Sequence, residues 1–415
     1  MKRKINILAG DTALWVIFIL MSVISLVAVY STIGFTAIND YHTTPRSMFI
    51  RHLEFVAGSF FVIILLSRVN YRFYSKLSLY GYIISLILVI IVAIMQTRWI
   101  RVPGLFSFQP SELAKIMLMI FLARNIAINR ERLDESSTFW ILLATIVLVC
   151  AFVVGENLST ALLMFVASYI LLFFGNVNRN MWWRGFFIFL ALGVVAFAII
   201  YFFGDKMDLF RSTTWGHRLQ AWLHPNPEEL NQENMARMAV ARGGFTGNGI
   251  GTTIHGRLMT QAHNDFIFAI IIEEAGLLAA LAIFALYAWF YFRCIRIATA
   301  CKGQFGSLCV AGIGTLILLQ AVINMSVAVG LLPVTGQTLP FISYGGSAYL
   351  FLGLGLGVIQ SVAFDNKRQA RRAKAEEMKA NNAASEANPS NPAKADNPTI
   401  ENSPSNNNHS HESNH

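Results

Sequence analysis

Residues Leu79-Tyr-Gly-Tyr-Ile-Ile-Ser-Leu-Ile-Leu-Val-Ile-Ile-Val-Ala-Ile-Met95 form an apolar run without a charged side chain. A helix of this length rises about 25 Å, close to the roughly 30 Å of a bilayer's hydrocarbon core. Nine further long apolar runs occur in the chain, so we predict an all-α polytopic membrane protein with ten transmembrane helices. The predicted spans are 13–35, 49–66, 79–95, 112–128, 138–154, 159–174, 185–203, 264–292, 305–328 and 346–363.

The composition of the whole chain excludes an ordinary soluble enzyme. Of its 415 residues, 55% are hydrophobic and 13% are charged, whereas soluble domains carry about 25% charged residues. The mean hydropathy is +0.52 even though the last fifty residues are polar. The four cysteines have neither zinc-site nor disulfide-framework spacing, so they predict no metal site; they are Cys150, Cys294, Cys301 and Cys309.

The basic residues predict the orientation of the chain in the membrane. Segments on the amino-terminal side of the spans hold about twice as many Lys and Arg residues as the opposite side, which makes them cytoplasmic by the positive-inside rule. Both termini are therefore predicted to be cytoplasmic, and the net charge of +9 needs no nucleic acid partner. We expect a membrane domain over 1–363 and a cytoplasmic tail over 364–415, first basic and suited to anionic headgroups, then disordered in composition.

A long loop on the outer face, 204–262, separates spans seven and eight. Its run Gly243-Gly-Phe-Thr-Gly-Asn-Gly-Ile-Gly251 can bring backbone amides near an anion, but it lacks the features of a P-loop. The loop also contains Arg218, Arg237, Arg242 and Arg257, which can hold a diphosphate if two of them converge. They can instead pair with acidic residues of the same loop.

Charged residues within or beside the spans are functional candidates because charge is costly in a membrane. Glu112 and Lys115 share one helical face, so they can form an internal ion pair or face a substrate. Glu156 stands at a short outer turn between spans five and six, where it can cap a helix or line a polar cavity. The sequence leaves both choices open.

Asp265 is the sharpest of these candidates. It lies in Gln261-Ala-His-Asn-Asp-Phe-Ile-Phe-Ala269, where the long loop re-enters the membrane. Partial burial there would raise its pKa and make it a better proton acceptor. Asp is also a favoured helix N-cap, so a capping role competes with a catalytic one. On a continuous helix, Glu273 would lie about 12 Å deeper and is not expected to act on the same atom.

The segment after span nine contains two prolines and four glycines between apolar spans. It runs from Asn324 through Pro333 and Pro340 to Ser347. Irregular backbone at membrane depth is tolerated only where it is buried in protein or lines a cavity. We therefore predict a cavity that opens outward near this segment.

Three separated motifs together resemble the SEDS family, the FtsW and RodA group of bacterial cell-wall polymerases. The resemblance covers residues 10–363, and Gly336-Gln-Thr-Leu-Pro340 with Asn324-Met325 is more similar to the FtsW branch than to RodA. The motifs are Gln109-Pro-Ser-Glu-Leu-Ala-Lys115, Ala262-His-Asn-Asp-Phe-Ile-Phe-Ala269 with Glu273-Glu-Ala-Gly276, and Gly330-Leu-Leu-Pro-Val-Thr-Gly336 continuing to Ser343-Tyr-Gly-Gly-Ser347.

The resemblance implies a peptidoglycan glycosyltransferase that polymerises lipid II into glycan strands at the outer face of the bacterial cytoplasmic membrane. It implies a class B penicillin-binding transpeptidase as partner and, from the FtsW likeness, a place at the division septum among other divisome proteins. The essential acid of the family falls on Asp265. The implied reaction inverts the anomeric centre and releases undecaprenyl diphosphate, while Asp265 takes the proton of the attacking sugar hydroxyl.

The remaining site predictions follow from these motifs. Arg218, Arg242 and Lys115 are candidates to neutralise the diphosphate, alone or with a divalent cation, Mg²⁺ or Mn²⁺; no metal ligand is predicted. The further substrate-binding candidates are Glu112, His263 and Ser343. Three alternatives stay open: a RodA-type elongation polymerase, a transporter (flippase) that moves a lipid-linked oligosaccharide across the bilayer, and a scaffold for septal enzymes.

Overall fold

The computed structural model describes residues 8–39, 44–101, 107–203, 212–224, 231–259 and 262–387. The basic amino terminus at Lys2 to Lys4, parts of the long loop and the polar end of the tail lie outside the described residues, so the predictions for them stay predictions. By its internal contacts the chain divides into a unit over 1–368 and a second over 369–415.

Within the described residues, ten long helices correspond in order to the ten predicted spans, which confirms the all-α membrane fold. Their bounds are α1 Thr12–Asn39, α2 Pro45–Arg68, α3 Tyr71–Ile94, α4 Pro110–Ile128, α5 Ser136–Val154, α6 Leu158–Phe174, α7 Arg179–Phe203, α11 Ile267–Thr299, α12 Gln304–Ala328 and α13 Gly346–Ala387. Three shorter helices lie in the long loop: α8 Ser212–Leu223, α9 Gln232–Gly243 and α10 His255–Leu258. An antiparallel ribbon, β1 Ile100–Arg101 with β2 Ser107–Phe108, joins α3 to α4 and was not predicted.

Eight of the long helices are apolar and long enough to cross a membrane by themselves. The other two, α4 and α6, pack against each other and against α12. α6 is apolar but has 17 residues, and α4 carries Glu112, Lys115 and Arg124. Most residues of α4 are buried, and a helix surrounded by protein tolerates charged side chains because it meets little lipid.

Glycines let α13 approach its neighbours closely. A Cβ built on Gly353 would lie 2.2 Å from the Ser59 hydroxyl of α2, and one on Gly355 would lie 3.1 Å from Ile116 of α4. Small residues at helix contacts allow this approach in membranes, where packing replaces the hydrophobic effect as the force between helices. α13 is thereby packed closely against α2 and α4.

α11 begins later than predicted and is kinked. It starts at Ile267 rather than at 264, so Asp265 precedes the helix and lies in a turn over 262–266. The kink is at Gly276, whose φ is +76°. Here Asn248 N donates to the Glu273 carbonyl at 3.1 Å, and Leu277 N donates to the Gly244 carbonyl at 3.0 Å. The glycine-rich loop therefore pairs with the opened helix, and these amides are not directed at an anion.

The segment 329–345 contains no regular helix or strand, as predicted. Much of it is buried, and its main-chain oxygens are satisfied by side chains of neighbouring helices. Gln320 Nε2 donates to the Thr338 carbonyl at 3.0 Å, and Tyr349 OH donates to the Phe341 carbonyl at 3.0 Å. Irregular backbone is stable at this depth because the surrounding protein supplies its hydrogen bonds.

Candidate active site

Asp265 lies in the turn that leads into α11, and its side chain is half-buried. The N-cap position of α11 is Phe266, which makes no side-chain capping bond. Asp265 therefore does not cap the helix, and no donor among the described residues forms a hydrogen bond with its carboxylate.

Two arginines from different parts of the chain, Arg218 and Arg98, place positive charge near Asp265. Burial raises the pKa of Asp265 to about 6, although the positive charges of Arg218 and Arg98 oppose this shift. A carboxylate of this pKa is ionised at neutral pH and yet more basic than an ordinary aspartate. The arrangement suits a general base that works beside a negatively charged group held by the two guanidinium groups.

The turn that carries Asp265 is fastened to the 329–345 segment. Asn324 Nδ2 donates to the main-chain oxygen of Asp265 at 2.8 Å, and the Ser343 hydroxyl donates to the Asn264 carbonyl at 2.6 Å. Tyr344 N donates to the His263 carbonyl at 2.9 Å. These hydrogen bonds fix the position and orientation of the turn that carries Asp265.

His263 and Ser343, both predicted as substrate contacts, are almost completely buried. The His263 ring packs edge-on against Tyr344 with 5.3 Å between centroids, and burial lowers the pKa of His263 to about 4. Its imidazole is neutral at pH 7. Ser343 also accepts from Leu339 N at 2.8 Å, so its hydroxyl both donates and accepts within the protein. In this structure both side chains support the turn.

Helices α8 and α9 of the long loop hold the other end of the 329–345 segment. Arg218 Nη1 donates to the Val334 carbonyl at 3.3 Å, and Trp222 Nε1 donates to the Gly330 carbonyl at 3.1 Å. Val334 N donates to Glu233 Oε1 at 3.4 Å. Arg218 is thus half-buried at the place where the loop, the irregular segment and Asp265 meet.

Glu112 and Lys115 form the ion pair that the sequence left open, with 2.7 Å between Nζ and Oε1. Lys115 also donates to Gln320 Oε1 at 2.9 Å. Because Gln320 in turn donates to the Thr338 carbonyl, the pair connects α4 and α12 to the irregular segment. Lys115 could reach a diphosphate only by exchanging these partners.

Arg242 is paired with Glu273 at 2.8 Å. Glu273 is fully buried and also accepts from the Thr253 hydroxyl at 2.5 Å and from His255 Nδ1 at 2.9 Å. Of the two loop arginines predicted to meet a diphosphate, Arg218 therefore acts on Asp265, whereas Arg242 fastens the loop to α11.

A model of one protein family, described as cell cycle protein and covering FtsW, RodA and SpoVE, matches residues 11–368. The chain belongs to this family. It is 29% identical to the probable peptidoglycan glycosyltransferase FtsW of Geobacter sulfurreducens over 85% of this chain and 95% of that protein. It is 28% identical to the protein of the same name from Wigglesworthia glossinidia brevipalpis over 89% and 98%.

Solved structures show that the fold is shared. Crystalline RodA, a rod shape determining protein of Thermus thermophilus, superimposes with a TM-score of 0.61 at 23% identity, over 86% of this chain and 98% of that one. A chain from a peptidoglycan synthase complex that coordinates polymerization and crosslinking gives 0.67 at 23% identity, over 86% and 99%. This FtsW, RodA and SpoVE family member is therefore a membrane protein with the SEDS fold.

Three contributors to the site of this family member were not among the predicted site residues. Arg98 follows α3, and Asn157 and Gly336 border the carboxylate: a Cβ built on Gly336 would lie 3.7 Å from Asp265 Oδ2 and 3.9 Å from Asn157 Nδ2. Arg98 did carry a usable signal, because a basic residue in a short outer loop departs from the positive-inside trend. Asn157 had none, since it fills the ordinary role of N-cap for α6.

The cavity found between α5, α6 and α7 has a volume of about 700 Å³ and lies apart from the candidate site. Its walls are apolar and include none of the predicted site residues. In the described part of the chain, no three His, Cys, Asp or Glu side chains come together as metal ligands.

Proposed function

We propose that this chain is a peptidoglycan glycosyltransferase that polymerises lipid II at the outer face of the cytoplasmic membrane during cell division, with both termini in the cytoplasm. Family membership and relatives named peptidoglycan glycosyltransferase support the activity. The single observation that supports the chemistry is Asp265: a half-buried carboxyl without a described donor, acted on by two arginines.

In the proposed reaction Asp265 removes the proton from the sugar 4-hydroxyl of an incoming lipid II. The freed oxygen attacks the anomeric carbon at the lipid-linked end of the growing chain and forms the new glycosidic bond with inversion. The bond from that carbon to the diphosphate breaks, and its electron pair leaves on the diphosphate oxygen. A diphosphate is a stable anion, so no second carboxyl is needed as an acid, unlike in a glycosidase.

The arginines supply the electrostatic part of this proposal. Arg218 and Arg98 place positive charge near the same carboxyl, so a diphosphate bound beside Asp265 would be stabilised by that charge. Arg242 and Lys115 remain candidates that must first leave Glu273 and Glu112. After each transfer the proton on Asp265 passes to water, which its pKa of about 6 favours at neutral pH.

We propose a class B penicillin-binding transpeptidase as the partner. Support comes from the similar chain in a synthase complex that couples polymerization to crosslinking. A division role rather than an elongation role is supported by the relatives named FtsW. Depletion of the protein in its host tests this point, because loss of a septal polymerase gives filaments, whereas loss of an elongation polymerase gives rounded cells.

The activity is tested with the purified full chain, the transpeptidase and fluorescent lipid II. The wild type should make glycan polymer, and Asp265→Asn should make none while keeping the wild-type unfolding temperature. Normal polymer from a folded Asp265→Asn would overturn the catalytic assignment. Movement of lipid II across a vesicle bilayer without polymer formation would support a transporter instead.

A further inference from the structure

The glycine-rich segment 243–258 exposes large apolar side chains, while most of its polar side chains are bonded to the protein. Thr253 is nearly fully buried, and its hydroxyl donates to the buried Glu273 at 2.5 Å. Asn248 is exposed, but its side chain donates to the Glu273 carbonyl at 3.0 Å. Four apolar residues of the segment are each at least half exposed: Phe245 62%, Ile250 68%, Ile254 50% and Leu258 57%. Such a surface is typical of contact with a membrane or with another protein.

The main-chain amides of the segment are also satisfied within the protein. Asn248 N donates to the Glu273 carbonyl at 3.1 Å, and Gly249 N donates to the Glu274 carbonyl at 2.8 Å. The Glu273 carboxylate accepts from Ile254 N at 3.2 Å. Polar backbone groups are costly beside lipid unless they are paired in this way. The opened helix α11 and its buried acid therefore replace water as acceptors for these amides.

Two contacts between α1 and α11 mark the depth of the segment in the membrane. At one end Arg293 of α11 is paired with Asp11, and its Nε donates to Oδ1 at 3.3 Å. At the other end the Ser31 hydroxyl of α1 donates to the Glu274 carboxylate. Twenty residues separate Asp11 from Ser31 and 19 separate Glu274 from Arg293, so each helix rises about 30 Å between the two contacts. This rise matches the thickness of the hydrocarbon core, so the second contact lies at its boundary on the Asp265 side.

Phe245 lies slightly inside this boundary. Leu278 N donates to the Phe245 carbonyl at 3.4 Å, and Leu278 is four residues beyond Glu274, about 6 Å closer to the membrane centre. Leu278 belongs to the exposed apolar side of α11, which also contains Leu277, Leu281 and Phe284. The apolar side chains of the segment therefore extend a surface that already faces lipid. Arg257 is exposed as well, and a side chain of its length can carry its charge to the headgroups.

We propose that the segment 243–258 is a membrane anchor of the long loop. Its exposed apolar side chains enter the acyl chains of the leaflet on the Asp265 side, which is the outer leaflet in the orientation proposed above. Glu273 makes this contact possible, because it binds polar groups of the segment and leaves mainly apolar side chains to face the lipid. The contact depends on the membrane fold and not on the proposed catalytic activity.

Fluorescence quenching in lipid nanodiscs tests this contact. The full chain, with its four native cysteines changed to alanine, receives one new cysteine that carries a small environment-sensitive dye, in Phe245→Cys or in Ile250→Cys. Phospholipids with brominated acyl chains quench a dye in lipid, and iodide quenches a dye in water. Phe284→Cys, on the lipid-facing side of α11, and Glu135→Cys, exposed between α4 and α5, are the matched controls for lipid and for water.

The two labels in the segment should behave like a label in lipid. We expect brominated lipid to quench them at least about half as strongly as the Phe284→Cys label, and iodide to quench them at least about threefold less than the Glu135→Cys label. Both positions are exposed, so the unfolding temperatures should match that of the parent chain.

Three results would overturn the proposal. Iodide quenching equal to that of Glu135→Cys would place the segment in water. Protection from both quenchers would mean that protein covers it. Loss of lipid quenching after addition of the transpeptidase would identify the surface as a protein interface instead.

Discussion

Asn324 on α12 holds the turn of Asp265 and the irregular segment with one nitrogen: its Nδ2 donates to the Asp265 carbonyl at 2.8 Å and to the Gln337 carbonyl at 2.6 Å. Asn324 is nearly fully buried. The two carbonyls belong to segments that the chain could otherwise place independently. Their shared donor sets the distance between the proposed base and the segment that faces it.

Replacing this donor should damage activity and stability together. Asn324→Ala leaves two buried carbonyl groups unpaired, at about 1–3 kcal/mol each. We expect a lower unfolding temperature and a loss of at least tenfold in kcat, measured by thermal unfolding and by lipid II polymerisation. Asn180→Ala, at an exposed position at the start of α7, is the control and should be neutral. Wild-type kcat in a destabilised Asn324→Ala would show that the turn is positioned by other contacts.

The pH dependence of kcat/KM should report Asp265. A base must be ionised, so kcat/KM for lipid II should be constant above the pKa of about 6 and fall about tenfold per pH unit below it. Asp265→Asn should lower kcat by at least 100-fold and abolish this acid limb. A rate profile without a break between pH 5 and 7 in the wild type would contradict the assignment of Asp265 as base.

Gly336 should not tolerate a side chain. Its φ is +68°, which costs other residues roughly 1–2 kcal/mol, and any Cβ would project between Asp265 and Asn157. We expect Gly336→Ala to raise KM for lipid II and Gly336→Val to lower kcat/KM by more than tenfold. The same substitutions at Gly193 of α7, where a Cβ meets nothing within 4 Å, should have little effect. Equal effects at both positions would refute a cleft at Gly336.

Glu112 and Lys115 should show strong coupling in stability. Lys115→Met leaves a buried carboxylate unpaired and should cost roughly 3–5 kcal/mol. Adding Glu112→Gln removes that charge, so the double variant should be more stable than Lys115→Met alone. Unfolding of the four proteins in detergent gives the coupling energy directly. Additive losses would mean that the 2.7 Å contact contributes no net interaction.

Much of the fold could be predicted from the chain. The first residues of α4 and α13, Pro110 and Gly346, fall within two positions of the predicted span starts. α11 was less well predicted, because Asp265 and Asn264 are polar groups in an otherwise apolar stretch, and hydrogen bonds from Asn324 and Ser343 to their carbonyls hold them in the turn before the helix. The ribbon Ile100–Arg101 with Ser107–Phe108 was missed because a strand of two residues is too short to show the alternation of apolar and polar residues that predicts a strand.

The partners of the site charges could not be predicted. Arg218 and Arg242 stand in the same loop with the same chemistry, yet one acts on Asp265 and the other is bound to Glu273. The choice depends on the kink at Gly276, which brings the glycine-rich loop onto α11. The residues near Arg218 and Arg242 in the sequence do not predict this contact between the loop and α11.

The sequence by itself determined the spans and the position of Asp265 beside the membrane boundary. The reason is that the free energy of transferring a segment from water into the membrane is a sum over the side chains of neighbouring residues. Tertiary structure alone decided which cation meets which carboxyl. Electrostatic energy varies with distance and burial, and the positive charges of Arg218 and Arg98 come near Asp265 only after segments far apart in the chain have packed together.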